Sequence, residues 1–245
     1  MSYRNAGPAA VLWDMDGTLV DSEKLWDISL HELARRLGGE LSPPAREAMV
    51  GSSMWPTMKI MFDHLGLDPD REAMADAARW LTARTEALFA AGLPWRPGAP
   101  EALRMVRAAG LATALVTSTE RPLVERALNS IGREHFDVTV CGDEVPATKP
   151  APDPYLIAAA KLGVAPGDCV AVEDSPAGTA SAQAAGCVVL VVPSEVPVPP
   201  GPLRVHRDDL SGLTESELRE IWTQTINGNH RTPHSAPSPA RPSER

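Results

Sequence analysis

The sequence predicts an α/β fold in which a parallel sheet flanked by helices carries an inserted α-helical cap. Three patterns indicate this: an apolar run at residues 9–13 that ends in a polar loop, a long helical stretch at about 22–93, and a later alternation of apolar strands with helices. Short apolar runs that end in polar loops are typical of buried parallel strands. The predicted core is therefore a Rossmann-like sheet.

The helical stretch after the first strand predicts the cap. In its first segment, apolar residues recur near helical spacing at Leu25, Ile28, Leu33 and Leu37, and the segment ends at Gly38-Gly39. Three more helical segments follow before the strands resume. Because about 70 residues, roughly half a typical domain, separate the first strand from the others, the stretch is interpreted as an insertion.

From about residue 95 the chain alternates between helical segments and strand-like runs. These runs are LATALVT, FDVTVCG, CVAVE and VVLVVP. Such alternation predicts parallel strands joined by right-handed crossovers. We therefore expect a core of residues 1–20 and 95–226 and a cap of residues 21–94. Residues 227–245 are rich in Pro, Ser, His and Arg without periodicity, which predicts a disordered tail.

Composition limits the function classes. The chain has 245 residues, 43% of them hydrophobic, which is enough for one large domain or two modest ones. Its net charge is −9 and it has no basic run, so nucleic acid is not an expected partner. It shows no apolar stretch of membrane-spanning length, no signal-peptide pattern and no CxxC pair. We expect a cytoplasmic, reduced monomer without membrane partners.

The loop after the first strand carries the strongest functional signal, DMDGT at 14–18. Asp14 and Asp16 are two positions apart, so in extended backbone both carboxylates project to the same side. Gly17 permits a sharp turn, and Thr18 can hydrogen-bond to it. The pair suits a nucleophile, an acid/base and a hard divalent cation between them. The alternative is a simple Asp-Gly turn.

Three further segments place polar residues after strands or before helices. Thr117-Ser118-Thr119 follows a strand, where hydroxyl and amide groups suit a phosphate oxygen, or a residue there caps the next helix. Lys149 in a Pro-rich loop could neutralise a phosphoryl group, or could be a solvated lysine. Glu173-Asp174-Ser175 follows another strand, where the carboxylates suit Mg²⁺, or Asp174 or Ser175 caps a helix.

Taken in order, four segments carry a family resemblance: DMDGTLVDS, VTS, KPAPDPY and VEDSPAGTASAQAAG. They resemble the four motifs of the haloacid dehalogenase-like hydrolases. The match is closest to the subfamily with a helical cap after the first motif, which includes phosphoglycolate phosphatase and β-phosphoglucomutase. The resemblance covers about residues 8–195. Without it, all four competing interpretations, one for each motif, would have to be true at the same time.

The resemblance implies a phosphatase that acts on a small phosphorylated metabolite. Asp14 would attack phosphorus to form an aspartyl-phosphate, and Asp16 would protonate the leaving alcohol and then activate water. Thr117 and the Ser118 amide would bind the phosphoryl group, and Lys149 would stabilise its charge.

The resemblance also implies Mg²⁺ as cofactor. Its ligands would be the Asp14 carboxylate, the backbone carbonyl of Asp16 and Asp174, with Glu173 as an outer or alternate ligand. Such a site supplies the positioning and charge neutralisation that phosphoryl transfer requires.

The main rival is a phosphomutase of the β-phosphoglucomutase type, which must hold a second phosphate in its cap. Those enzymes carry a His in the first cap helix and an Arg just after a Gly-x-Ser sequence. This chain has Trp26 and Met54 at these positions, and Met54 is expected in a loop at the cap's rim. Both departures favour a hydrolase. A catalytically inactive binding module is disfavoured because every catalytic position is filled.

The cap also offers candidates for substrate specificity, although the substrate itself stays open among phosphoglycolate and sugar or polyol phosphates. The candidates are Trp26, Gly51, Ser52, Trp55 and Arg84. The two tryptophans could instead pack between cap helices.

Overall fold

A computed structural model describes residues 7–229 of the chain. Its sheet has six parallel strands in the order β3-β2-β1-β4-β5-β6. The strands are β1 (Ala10–Trp13), β2 (Ala112–Val116), β3 (Val138–Val140), β4 (Cys169–Glu173), β5 (Val188–Val191) and β6 (Arg204–His206). The predicted parallel sheet flanked by helices is confirmed. The sequence does not predict β6, because this short edge strand is only partly buried and lacks an apolar run.

The helices of the described residues divide into a cap group and a core group. The cap group is α1 (Glu23–Arg36), α2 (Pro43–Glu47), α3 (Met54–Leu65) and α4 (Arg71–Phe89). The core group is α5 (Ala99–Ala108), α6 (Arg121–Ile131), α7 (Asp153–Leu162), α8 (Pro176–Ala185) and α9 (Glu215–Asn229). None of them combines the length and the apolar character that a membrane crossing requires.

The core helices cover both faces of the sheet. On β1, Val11 and Trp13 point to a cluster shared with α5, α6 and α9, whereas Ala10 and Leu12 point to a cluster shared with α7 and α8. Strands buried on both faces need apolar residues at every position, which explains the continuous apolar runs of the sequence. This burial fixes β1 at the centre of the sheet, between β2 and β4.

The cap helices form a third apolar cluster of their own, in which α1 and α4 pack together with α3. The chain leaves the sheet region after Val20 and returns at Trp95, and these two residues form an antiparallel bridge. Next to it, the Asp21 amide donates to the Pro94 carbonyl at 2.8 Å. The two connections between cap and core therefore run side by side.

Two local expectations are wrong. Met54 begins α3 instead of lying in a loop. Residues 227–229, assigned to the tail, continue α9. A helix anchored by buried residues such as Leu218 and Trp222 extends easily by further turns, because propagation is far less costly than nucleation. The rest of the predicted tail, residues 230–245, lies outside the described residues.

Candidate active site

The predicted site residues meet at the carboxyl ends of three neighbouring strands. Asp14 follows β1, Thr117 follows β2, and Glu173 is the last residue of β4. The Asp14 amide donates to the Val172 carbonyl at 3.0 Å, so the first loop leaves the sheet beside β4. Because parallel strands all end at one edge, residues more than 100 positions apart come together here.

Lys149 reaches this edge from the loop before α7 and is 6% exposed, so it is not a solvated loop lysine. Its ammonium donates to Asp14 Oδ1 at 2.7 Å, to Glu173 Oε1 at 2.6 Å and to the Val116 carbonyl at 2.9 Å. Burial opposes the charged form, but the ion pairs with Asp14 and Glu173 raise the pKa of Lys149 above its ordinary value. The side chain is therefore a fixed positive charge.

The two carboxylates that contact this ammonium form a cluster with a third, that of Asp174. Oxygen atoms of Asp14, Glu173 and Asp174 lie within 4.8 Å of one another. Burial raises the pKa of Asp14, Lys149 opposes this shift, and the charges of Glu173 and Asp16 add to it, so that the resulting pKa is about 7. Burial and the charge of Asp14 likewise raise the pKa of Asp174 well above its ordinary value. If all three carboxylates are ionised, their negative charge exceeds what Lys149 alone can balance, and the raised pKa values reflect this repulsion together with burial.

The donor set fits a hard divalent cation. Asp14 Oδ2 is buried and has no hydrogen-bond partner within residues 7–229. A carboxylate oxygen of that kind is costly unless a cation or a ligand occupies the place of the missing donor. Gly17, at φ +83°, lets the loop approach Asp174, since a Cβ there would lie 2.1 Å from Asp174 Oδ2. An oxygen-only site of this charge suits Mg²⁺.

Glu173 has its oxygens engaged within the protein. Oε1 accepts from Lys149 and, at 2.5 Å, from the Tyr155 hydroxyl, while Oε2 accepts from Ser175 Oγ at 3.3 Å. Gly178 packs directly against this carboxylate. Tyr155 and Gly178 lie within two of the four motif segments, but no role was predicted for them, because a tyrosine and a glycine in a helix do not by themselves indicate a contact with a carboxylate.

The competing capping interpretations have different outcomes. Ser175 does cap α8, since its Oγ accepts from the Gly178 amide, and Asp174 does not. Helix α6 begins after Glu120 without a side-chain capping bond, so neither Ser118 nor Thr119 caps it.

Asp16 lies beside the lysine cluster and not within it. Its Oδ1 accepts from Ser22 Oγ at 2.7 Å and from the Trp26 indole nitrogen at 3.1 Å. Its Oδ2 accepts from Thr117 Oγ1 at 3.2 Å and from Thr119 Oγ1 at 2.8 Å. The two carboxylates of DMDGT therefore have different environments, one ion-paired and one held by neutral donors.

A cavity between cap and core joins these groups. Its empty volume is about 710 Å³, opening included. The predicted residues on its wall are Asp14, Asp16, Trp26, Gly51, Ser52, Thr117, Ser118, Lys149 and Asp174. Two cap candidates are not part of the wall: Trp55 is 48% exposed, and Arg84 is paired with Glu32 at 2.5 Å on the cap surface. Because neither side chain lines the cavity, the structure does not support their assignment to specificity.

The cap wall of the cavity also carries a charged pair, Arg46 and Glu23, that no pattern in the sequence predicted. Arg46 of α2 donates to Glu23 of α1 at 2.8 Å and to Asp27 at 3.1 Å, and both Arg46 and Glu23 are buried. Burial raises the pKa of Glu23, and Arg46 opposes the shift. Arg46 is thus a cation on the cap wall at neither of the two positions compared with the mutases, and three carboxylates, those of Glu23, Asp27 and Glu195, already lie within 3.6 Å of its guanidinium.

Comparisons with known proteins agree with this geometry. A sequence model of the haloacid dehalogenase-like hydrolases matches residues 8–186. Protein CbbY of Rhodobacter capsulatus is 34% identical over 194 residues, covering 76% of this chain and 86% of that protein. Hexitol phosphatase B of Escherichia coli K12 is 31% identical over 219 residues, covering 86% of this chain and 96% of that enzyme.

A solved structure extends the likeness to three dimensions. CbbY of Rhodobacter sphaeroides in complex with phosphate aligns with a TM-score of 0.77 at 31% identity, over 86% of this chain and 99% of that one. The alignment therefore spans both the sheet and the helices inserted after β1.

Proposed function

The chain belongs to the haloacid dehalogenase-like hydrolases, and we propose that it is a Mg²⁺-dependent phosphatase that hydrolyses a small phosphomonoester through an aspartyl-phosphate. The observation that carries the proposal is the buried Lys149 bridge between Asp14 and Glu173, next to the unpartnered Asp14 oxygen at the cavity wall. A nucleophilic carboxylate must keep its charge in a buried site, and a fixed cation beside it serves that purpose.

In the first proposed step, a carboxylate oxygen of Asp14 forms a bond to phosphorus while the bond from phosphorus to the alcohol oxygen breaks. The proton of Asp16 moves to the departing alkoxide. In the second step, water attacks phosphorus, Asp16 takes the proton back, and Asp14 is released with inorganic phosphate. Thr117, the Ser118 amide and Lys149 would hold the phosphoryl oxygens throughout.

The proposed cation ligands are the Asp14 and Asp174 carboxylates and the Asp16 backbone carbonyl. Because its oxygens are already engaged, Glu173 would act as an outer partner that holds Lys149. When bound, Mg²⁺ would neutralise charge on the phosphoryl oxygens and lessen the repulsion among the carboxylates.

Removing divalent cations should lower kcat by more than about 100-fold. Mg²⁺ should restore it, and Ca²⁺ should inhibit because its looser coordination misplaces the nucleophile. Mg²⁺ should also raise the Tm of the wild type through binding to the folded state, and Asp174→Asn should lose most of that rise. Full activity in excess EDTA after exhaustive dialysis would contradict the proposed Mg²⁺ dependence.

The cavity indicates the substrate class. Its cap wall combines Leu30, Met49 and Leu81 with the matched Glu23–Arg46 pair, so it offers apolar contact and hydrogen bonds without net positive charge. This suits a single phosphate on a hydroxylated carbon chain, and hexitol phosphatase B, similar over most of the chain, is named for that class of substrate. We therefore propose sugar or polyol monophosphates.

A phosphomutase is the second candidate, because Arg46 does place a cation on the cap wall. We expect phosphate release from sugar and polyol monophosphates, without stimulation by glucose 1,6-bisphosphate. The assay incubates a panel of such esters, including β-glucose 1-phosphate, with enzyme and Mg²⁺ and follows phosphate and glucose 6-phosphate together. Glucose 6-phosphate that accumulates faster than phosphate would establish the mutase and overturn the hydrolase.

A further inference from the structure

The Asp16 carboxylate is held from two sides of the cavity. Both donors to Oδ1 come from the start of the cap, Ser22 at 2.7 Å and Trp26 at 3.1 Å. Both donors to Oδ2 come from the loop after β2, Thr117 at 3.2 Å and Thr119 at 2.8 Å. The rotation of this carboxylate therefore depends on where the cap helix α1 lies relative to the core.

Trp26 differs chemically from the other three donors. A hydroxyl can donate or accept, so Ser22, Thr117 and Thr119 can reverse their roles when the carboxyl group takes up a proton. The indole N–H can only donate. Its contact keeps Oδ1 an acceptor and favours Oδ2 as the oxygen that carries the acidic proton.

The indole is itself held in place by the cap. Its ring meets Phe89 of α4 edge to face, with 6.2 Å between the ring centroids and 83° between the planes. Phe89 is 2% exposed. An aromatic pair of this geometry fixes the direction of the N–H, because rotating the indole would break the contact. The last residue of α4, buried in the apolar cluster on the sheet, thus aims this donor at Asp16.

We infer that Trp26 is a positioning residue for Asp16: its indole N–H holds Oδ1 so that the opposite oxygen, Oδ2, delivers the proton to the leaving alcohol. This role rests on the proposed function, and it assigns Trp26 neither to packing alone nor to substrate binding. It also explains how a tryptophan can serve at a position where a charged or polar residue was expected. The start of the cap and the proton donor are coupled through the hydrogen bonds from Trp26 and Ser22 to Oδ1.

Trp26→Phe removes the N–H and keeps an aromatic ring against Phe89. Phenyl phosphate and p-nitrophenyl phosphate are both aryl monoesters and differ by one para nitro group, but only phenolate, the poorer leaving group, needs a proton as it departs. kcat/KM reports the steps up to aspartyl-phosphate formation. We expect kcat/KM of Trp26→Phe to fall about tenfold for phenyl phosphate and less than about twofold for p-nitrophenyl phosphate. The tenfold loss is smaller than the full effect of a general acid, because Asp16 itself is still present.

Two further variants separate positioning from packing. Ser22→Ala removes the other Oδ1 donor, which makes no helix-capping bond, and should show the same leaving-group selectivity more weakly. Trp80→Phe is the matched control, since Trp80 also lies in the cap but contacts Arg36 and is not part of the cavity wall. It should change neither kcat/KM value by more than about twofold.

The outcomes distinguish this inference from the proposed function. A selective loss for phenyl phosphate, with an unchanged Tm, supports the positioning role. Equal losses for both esters would mean that Trp26 binds substrate or supports the fold. No loss for either ester would mean that the hydrogen bond from Trp26 to Asp16 does not affect catalysis. Either result overturns the inference while the wild-type enzyme remains a phosphatase. A wild-type chain inactive on both esters and on the sugar phosphate panel would overturn the proposed function itself.

Discussion

Asp14→Asn should lower kcat by at least about 1,000-fold while leaving the fold intact. The amide has nearly the same shape as the carboxylate but is a far weaker nucleophile. The change also removes one of three crowded negative groups, and Lys149 keeps its bonds to Glu173 and to the Val116 carbonyl. The Tm measured without Mg²⁺ should therefore stay the same or rise. Steady-state kinetics and thermal unfolding on the same preparation test both expectations.

The matched control is Asp168→Asn. Asp168 is exposed and lies just before β4, at the opposite end of the strand that leads to Glu173 and Asp174. This variant makes the same chemical change in the same sheet, away from the cavity, and should keep activity within about twofold. Residual activity above about a tenth of wild-type kcat in Asp14→Asn would remove the nucleophilic role from Asp14.

The sheet and the meeting of its strand ends could be predicted because they follow from local patterns. Buried parallel strands require continuous apolar runs, and their carboxyl ends must converge at one edge. Asp14, Thr117, Lys149 and Asp174 all lie on the cavity wall, as that argument requires. Ser175 caps the N-terminus of α8, as one competing interpretation proposed. This fits the same arrangement, because the capping residue lies directly after the acidic pair, where the chain turns into α8.

The cap side of the cavity could not be predicted in this way. Glu23 and Arg46 lie on different helices, and neither residue has a local signature; their pairing depends on how α1 and α2 pack. The Trp26 contact with Asp16 likewise depends on the seating of the cap on the core. Arg84 is the opposite case: the sequence predicted its helix and suggested a role at the cavity, but the side chain pairs with Glu32 and does not line the cavity. Tertiary packing decides these features, and single-sequence patterns do not contain it.

Lys149→Met should have the second large effect, on activity and stability together. Lys149 is the positive charge within hydrogen-bond reach of both Asp14 and Glu173. Without it, buried carboxylates lose their partner, which should lower the free energy of unfolding by about 3–5 kcal/mol and the Tm by about 10 °C. Without the positive charge of Lys149 to stabilise the phosphoryl group, kcat should also fall by about 100- to 1,000-fold. Lys161→Met, at an exposed position in α7, is the matched control and should change neither.

The double variant Lys149→Met/Glu173→Gln separates the two effects. Glutamine can still hydrogen-bond to Tyr155 and Ser175, but it removes one of the charges left unpaired. If Lys149 stabilises the fold by balancing Glu173 and Asp14, the double variant should recover much of the lost Tm. It should not recover kcat, because the charge beside the nucleophile is still missing. Recovery of both would show that Lys149 acts on catalysis only by maintaining the fold, and recovery of neither would show that its packing, not its charge, stabilises this edge of the sheet.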